Sequence, residues 1–481
     1  MNLPDSLFID GKFRAGSAGK RTRLINPATE ETLGEVAAAE VNDLNAAIES
    51  AHRAWEGGWR DLAPGKRAEI LFNVARVLRE NLEELAQLEA LNIGKPISDA
   101  RDEIGLGARV FEYYAGAVGK FFGQTIPVAR GGIDFTLRQP MGVVSCIVPW
   151  NFPFPIASWK AAPALAAGNC VVVKPSEVTP LSTVELGTLV AEAGFPPGVV
   201  NIVNGPGDPV GMALVRDPRV AKISFTGGTV TGKKIFREAA STVKRLTLEL
   251  GGKSASLVFA DADLGKAVGV AYNDMVRNSG QVCGACTRLL LHESIADAFI
   301  EALAAKLRPL RIGLPDDPAT EMGPLVSPVQ LARVTGYLEI GRNEGAHIES
   351  YSDPRSRPEL ASGCYIAPTL IQGATNAMRV AREEIFGPVL TVIRFGSEEE
   401  AVRVANDSSY GLAACVFTSD ASRAMRLTRS LSAGTVCVNT GVRSSVDAPF
   451  GGFRESGLGK ERGKEALLDD TQIKNVRYGL A

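Results

Sequence analysis

The sequence predicts an α/β protein: a doubly wound, largely parallel sheet joined to a second α/β domain. Two observations carry this. Short, continuous apolar runs alternate with helical patterns, and each run leads into Pro, Gly and polar residues. Such runs are strands buried on both faces, as in parallel sheets covered by helices on both sides. Glycine-rich turns also follow two of the runs, at Asn204–Gly211 and Phe225–Gly232. Open sheets of this kind bind ligands just past the C-terminal ends of their strands.

The elements follow in order. Ile70, Leu71, Val74, Val77, Leu78, Leu82, Leu85, Leu88 and Leu91 recur at helical spacing and predict one scaffold helix from Pro64 to Asn92. Asn92-Ile-Gly-Lys-Pro96 reads as its stop, with Gly and Pro just past the end. Residues 119–139 are more extended and predict a β excursion. Val143–Val148, Cys170–Val173, Val199–Val203 and Ala221–Phe225 are strands of the first sheet. After Glu249 the texture returns in Ala255–Phe259, Arg288–His292, Val389–Phe395 and Gly434–Asn439, the strands of the second. No internal repeat or low-complexity tract interrupts them.

The bulk numbers agree. At 481 residues the chain suggests two or three domains, since single cores stop growing near ~250–300 residues. Hydrophobic residues at 45% and charged residues at 22% are those of a soluble globular protein. The net charge of -2 argues against nucleic-acid or anionic-membrane binding. The first residues lack the basic start and apolar run of a signal peptide, and no uninterrupted apolar stretch is long enough to span a bilayer. Seven dispersed cysteines do not form a disulfide framework, so a reducing cytoplasm is the expected setting.

The candidate chemistry is narrowed by what is scarce. Of the three histidines, His52 falls on a surface helix, His292 ends a strand and His347 sits in a Gly-Ala-His turn. A Ser-His or Cys-His pair is therefore poorly supplied, and no Gly-x-Ser-x-Gly elbow occurs. No Cys/His cluster has metal-ligand spacing, so no metal is expected. Neither glycine-rich turn is a strict G-x-G-x-x-G; each alone reads as a phosphate loop or an ordinary β–α turn. Pro149-Trp-Asn-Phe-Pro153 lies just past a strand end, an odd composition for a mere connector. In Gly280-Gln-Val-Cys283 the cysteine reads alone as either a small buried hydrophobe or a nucleophile.

Taken together the motifs say more. Pro149–Pro153, Val173-Lys-Pro-Ser-Glu177, Phe225-Thr-Gly-Gly-Thr229, Leu248-Glu-Leu-Gly-Gly-Lys253, Gly280–Cys283, Glu383-Glu-Ile-Phe-Gly-Pro388 and Pro449-Phe-Gly-Gly-Phe-Arg-Glu-Ser-Gly457 stand in this order. With them the chain resembles the aldehyde dehydrogenase superfamily over essentially its whole length, from Ile25-Asn-Pro-Ala-Thr29 onward. The resemblance implies a Rossmann-like NAD-binding domain (1–118 and 140–250), a catalytic α/β domain (251–436) and a bridging element with tail (119–139 and 437–481) used for dimers or tetramers. It implies oxidation of an aldehyde to an acid through a thioester on Cys283. Asn151 and the Cys283 N–H would hold the oxyanion, Glu249 would activate water, and Lys160 and Glu461 would relay the proton.

For the cofactor, NAD or NADP, the resemblance implies Lys174, Ser176 and Glu177 near the adenosine ribose, and Glu384, Phe386 and Gln330 near the second ribose. Ile147, Pro149, Trp150, Gly207, Gly211, Phe225, Thr226, Gly227, Gly228, Leu250 and Gly251 would line the cleft. Gly228 departs from relatives that place Ser there to contact the pyrophosphate. Glu177 favours NAD, because a carboxylate accepts from a ribose 2′-OH and repels a 2′-phosphate.

The substrate is less legible. The loop Gly441–Asp447 carries no aromatic residue, which argues against a cage for a quaternary ammonium aldehyde. Arg277 and Ser444 match positions that hold the carboxylate of acidic semialdehydes, and Arg443 adds a cation; Trp159 and Phe450 belong to the same mouth. Trp159 itself resembles general aliphatic or aromatic aldehyde oxidisers, so a broad-specificity enzyme is the alternative. A coenzyme A-acylating variant is disfavoured by Glu249, and a non-catalytic protein by the presence of Cys283, Asn151 and Glu249 together. Cys286 reads as an inert second cysteine, with a Cys283–Cys286 disulfide as the alternative.

Overall fold

The computed structural model of the chain describes residues 3–128, 131–443 and 445–479. At its centre, the strand Val143–Ile147 pairs in parallel with Cys170–Lys174 on one side and Val220–Thr226 on the other. The sheet then continues outward in both directions, to Val200–Ile202 and to Arg245–Glu249. The strand order therefore reverses beside Val143–Ile147, which opens a crevice at the strands' C-terminal ends. Leu7–Ile9 with Lys12–Arg14, and Gly457–Leu458, close the two edges of this eight-stranded sheet antiparallel to their neighbours. Arg245–Glu249 was not foreseen, because its apolar run is broken by Thr247 and ends in a charge.

The helix Pro153–Ala167 is buried on every face, as its Ala-rich apolar sequence requires. It lies under Ile97–Ala117, where Gly107 leaves room for Phe154; a Cβ there would sit 2.7 Å from the ring. The single helix expected over Pro64–Asn92 is instead two, Pro64–Glu80 and Leu82–Ile93. Asn81 breaks it by turning its amide back onto the Val77 carbonyl at 2.9 Å. An Asn side chain competes with the helix backbone in this way, and apolar spacing does not register it. The predicted stop holds: Gly94 ends the second helix at φ +89.

A seven-stranded sheet forms the second α/β unit, ordered His347–Ser350, Thr369–Gln372, Val389–Phe395, Arg288–His292, Ala255–Val258, Ala413–Phe417, Thr435–Val438. All pairs but the first are parallel. His347, expected in a turn, begins the antiparallel edge strand opposite Gln372, while His292 ends its strand as expected. The β excursion forms as Thr125–Ile126 and Ile133–Pro140, the latter paired along its whole length with Thr471–Tyr478. Residues 129 and 130 of the excursion lie outside the described residues. Between these sheets, Gly457–Leu458 joins the first sheet and the helix Gly463–Asp469 follows it. Among the described residues no helix is long and apolar enough to cross a membrane.

Candidate active site

Four strand ends meet at the crevice. Ile147 is registered against Lys174 and Phe225, Phe225 against Leu248, and Thr226 against Glu249. Motifs far apart in sequence thus become one rim. Beyond Ile147 the chain turns through Pro149, Trp150 and Asn151 into the buried helix that carries Trp159 and Lys160. Asn151 is held at both ends. Its carbonyl accepts from Lys95 Nζ (3.1 Å) and Asn278 Nδ2 (2.9 Å). Its Nδ2 donates to the Gln281 carbonyl at 2.9 Å, and the amide's second hydrogen has no partner among the described residues.

Lys95 itself is fully buried, ion-paired to Glu103 and 3.8 Å from Glu89. Burial pushes the Glu103 carboxyl up to about 8 despite the Lys95 ammonium. Sequence reading took Lys95 only as part of a helix stop; no motif marked it as the support of Asn151.

Cys283 is presented by an unusual turn. Asn278, Ser279 and Gly280 all have positive φ (+46, +53 and +69), a run that only a strongly constrained segment sustains. The constraints are visible: Ser279 Oγ donates to Gly323 O at 2.7 Å, Gln281 Nε2 to Asn278 O at 2.9 Å, and Val326 N to Gln281 Oε1 at 3.0 Å. At Gly280 a side chain would collide with the Gly387 backbone. Cys283 emerges half-buried, its thiol pushed up to about 12 by burial and by the Glu249 and Glu384 charges, against the pull of Arg462. The sulfur neighbour of Cys286 is Cys415, at 3.4 Å.

Glu249 is 3% exposed, and neither carboxylate oxygen has a hydrogen-bond partner among the described residues. Burial, then the nearby Glu461 charge, hold its carboxyl well above the usual carboxylate range. Gly451 (φ +153) makes its space: any side chain there would overlap Glu249 Oε1. Lys160 is ion-paired to Glu461, and Ser224 Oγ lies 3.1 Å from both Lys160 Nζ and Glu461 Oε1. The segment bearing these groups is latched by Ser456, whose carbonyl accepts from Leu250 N at 2.9 Å and whose hydroxyl donates to Gly251 O at 2.7 Å.

A cleft of about 230 Å³ brings together Pro149, Trp150, Asn151, Thr226, Gly227, Gly228, Leu250, Gly251, Cys283, Gln330, Glu384 and Phe386. Arg333, which sequence reading missed, completes this wall by donating to the Ile385 carbonyl at 3.3 Å. Gln330 Nε2 donates to Phe386 O at 2.7 Å, and the Phe386 ring meets Trp150 edge-on at 5.2 Å. Glu384 accepts from Gly252 N at 2.9 Å. Further out, Glu177, Pro206, Pro209 and Val210 line a second opening of about 540 Å³, with Lys174 3.8 Å from Glu177 and packed on Gly211. Gly207 begins the turn that ends at Gly211, and Ser176 caps its own loop by accepting from Val178 N at 3.3 Å.

These residues fit a dinucleotide. The cleft ends at the N-terminus of the helix Thr229–Ala239, where the Thr226 hydroxyl is buried without a partner among the described residues and Gly228 faces open space. Unpaired donors at a helix N-terminus suit a pyrophosphate. Open space at Gly228 leaves backbone approach as its contribution.

On the opposite side of Cys283, a cavity of about 770 Å³ is lined by Val282, Gly284, Arg277 and Arg443, together with Arg109 and Asp99. Arg277 lies 5.5 Å over the Phe152 ring. Trp159 and Phe450 are buried, joined by the Arg462 guanidinium stacked on both. Ser444 lies outside the described residues.

Known proteins share this arrangement. The pattern of the aldehyde dehydrogenase family matches residues 13–476. A betaine aldehyde dehydrogenase of Bacillus subtilis (strain 168) is 42% identical over 479 residues, 98% of this chain and 97% of that protein. The NAD+ complex of an aldehyde dehydrogenase from Bacillus cereus superposes with a TM-score of 0.97 at 41% identity, covering 100% of this chain and 97% of that one. A betaine aldehyde dehydrogenase from Staphylococcus aureus, also solved with NAD+, gives 0.97 at 38% identity, covering 99% and 95%. With its crevice, its cysteine turn and a match over nearly its full length, the chain belongs to the aldehyde dehydrogenase family.

Proposed function

We propose that the protein oxidises an aldehyde to a carboxylic acid with NAD as acceptor, NADP being the alternative, through a thioester on Cys283 that water hydrolyses. The observation that carries this is the cleft itself. A cysteine and an amide with a free hydrogen line it beside walls that fit a dinucleotide, and a buried carboxylate without hydrogen-bond partners among the described residues lies close enough for its charge to act on the cysteine. The solved relatives bound to NAD+ support the acceptor, as does Glu177.

Deprotonated Cys283 Sγ attacks the aldehyde carbon, forming a C–S bond and a thiohemiacetal oxyanion. The free Asn151 Nδ2 hydrogen and the Cys283 N–H receive that oxyanion, placing donors where charge develops. Bound NAD supplies the acceptor for the hydride that leaves as the oxyanion collapses to the thioester. Glu249 then takes a proton from water, whose oxygen attacks the thioester carbon as the C–S bond breaks, releasing the acid and the Cys283 thiolate. The proton leaves through Glu461, Ser224 and Lys160. A carboxylate base suits a chain with three histidines, none in this cleft.

The same proposal takes residues 1–118 and 140–250 as the cofactor domain and 251–436 as the catalytic domain. The sheet of Ile133–Pro140 and Thr471–Tyr478, with Ile133, Leu137 and Ile473 exposed, becomes an assembly surface for a homodimer or homotetramer. All seven cysteines are free thiols, which suits a reducing cytoplasm. For the substrate we favour an acidic semialdehyde, since Arg277 and Arg443 line the cavity behind Cys283, in company with Asp99 and Asp274.

The test is nicotinamide reduction against short aliphatic, aromatic, amino and carboxylated aldehydes, with NAD and NADP, beside Cys283→Ala. Reduction that vanishes in the variant supports the reading. Reduction that appears only with coenzyme A transfers the reaction to the acylating alternative. Silence with every aldehyde and both cofactors sinks it.

A further inference from the structure

We infer that Arg462 sets the charge selectivity of the substrate pocket: a buried cation without a carboxylate partner, it favours aldehydes bearing an anionic group and turns away quaternary ammonium aldehydes. The inference rests on the reading of Cys283 as the group the aldehyde meets.

Arg462 is 4% exposed. Its guanidinium lies 4.4 Å from the Phe450 centroid and 5.1 Å from that of Trp159. Nη1 donates to Ser445 O at 3.3 Å, while Nε is buried with no partner. Among the described residues no carboxylate oxygen reaches it within ion-pair distance, although Lys95, Lys160 and Lys222 all have such partners. Glu461, its sequence neighbour, is spent on Lys160. A buried charge left unpaired is costly, and the usual remedy is a counter-ion. The backbone adds to the cost: Arg462 is held at φ +62, ψ 178, a region that favours glycine.

The reacting atoms are close by. The Phe450 ring tip is 3.9 Å from where a Gly284 side chain would begin, one residue beyond Cys283. Arg462 and the charges of Cys283 and Glu249 act on one another directly. An anionic group on the substrate therefore meets a guanidinium with no ion-pair partner of its own among the described residues, beside the Glu461 and Glu249 charges that also act on it.

A quaternary ammonium group is recognised by free aromatic faces. Here the faces of Trp159 and Phe450 that could offer this already carry a guanidinium.

The charge at the site can be read without turnover, by alkylating Cys283 with iodoacetate (anionic) and iodoacetamide (neutral). Arg462→Met should lower the iodoacetate-to-iodoacetamide rate ratio about tenfold, the loss of one unit charge at short range in a partly screened site. Arg462→Lys should keep most of the ratio. In turnover with NAD, the wild type should rank succinic semialdehyde above butanal and butanal above betaine aldehyde. Arg462→Met should narrow that spread by a similar factor, with butanal least changed. An unchanged alkylation ratio in Arg462→Met overturns the inference. If that variant does not fold, wild-type turnover of betaine aldehyde at or above the succinic semialdehyde rate overturns it instead. Failure of the underlying reading looks different: no butanal oxidation, and no protection of Cys283 from iodoacetamide by aldehyde.

Discussion

Replacing Lys95 with Met tests whether a buried charge cluster supports the oxyanion side of the site. Lys95 is the cation between Glu89 and Glu103, and it donates to the Asn151 carbonyl at 3.1 Å. Glu89 stays bound to Phe154 N (3.0 Å) and Ser182 Oγ (2.7 Å), so it cannot swing away to solvent. Removing the shared cation from buried carboxylates costs about 3–5 kcal/mol. The sign with pH follows from Glu103, whose carboxyl is raised to about 8. From the ordinary carboxylate range up to about 8, the folded protein keeps a proton that the unfolded chain has released, so this group's contribution to stability falls as pH rises. Without the ammonium the window extends further upward, and the deficit should be larger at pH 9 than at pH 6.

Catalysis should fall less than stability, because Asn278 still holds the same carbonyl at 2.9 Å. A loss of about 10- to 100-fold in kcat, with KM little changed, is expected for a small displacement of the oxyanion donor. Thermal unfolding at both pH values, with steady-state rates for Lys95→Met, Asn151→Ala and the double variant, checks this. The two substitutions should be strongly non-additive in kcat. Full additivity, or unfolding midpoints unchanged at both pH values, would refute the argument.

Three further outcomes follow from the same geometry. Asn151→Ala should lower kcat by about 10²–10³ while leaving iodoacetamide alkylation of Cys283 near the wild-type rate; a kcat within threefold of wild type removes Asn151 from the mechanism. Gly451→Ala forces a methyl into Glu249 Oε1, so hydrolysis should become rate-limiting and a pre-steady-state burst of reduced nicotinamide should appear or grow; an unchanged time course places Glu249 outside hydrolysis. Both Cys283 and Glu249 are raised from their ordinary values and both act deprotonated, so turnover should climb as pH rises from 6 to 9; a flat or falling profile contradicts the assignment.

What the sequence revealed, and what it hid, follows from the range of the interactions. Strands such as Arg288–His292 and Val389–Phe395 were legible to the residue because burial on both faces leaves short runs of adjacent apolar residues, Leu289–Leu291 in the first and Val392-Ile393 beside Val389-Leu390 in the second. Ala413–Phe417 is equally buried but went unread, its apolar stretch running on from Gly411-Leu412 without a break. Cys283, Asn151 and Glu249 surfaced only through ordered motifs; each alone carries an ordinary side chain. Lys95, Asn278 and Arg462 did not surface at all. Their roles arise from contacts such as Lys95 with Asn151 and Arg462 with Trp159, which no local periodicity encodes. The tail, expected to carry Glu461 and the substrate mouth beside the bridging element, also contributes an edge strand to the first sheet.

That edge strand has a consequence for how the protein is made. Glu461 and Arg462 follow Gly457–Leu458 directly, and Phe450 and Gly451 precede it, so these parts of the site reach their places only when this segment docks beside Leu248 and Glu249. Every other strand of the two large sheets lies before residue 439, so a growing chain acquires this one last. The growing chain therefore carries its thiol without its buried carboxylate enclosed or its charges arranged. On the mechanism proposed above, the site is whole only once one short strand has added itself to a sheet that is otherwise complete.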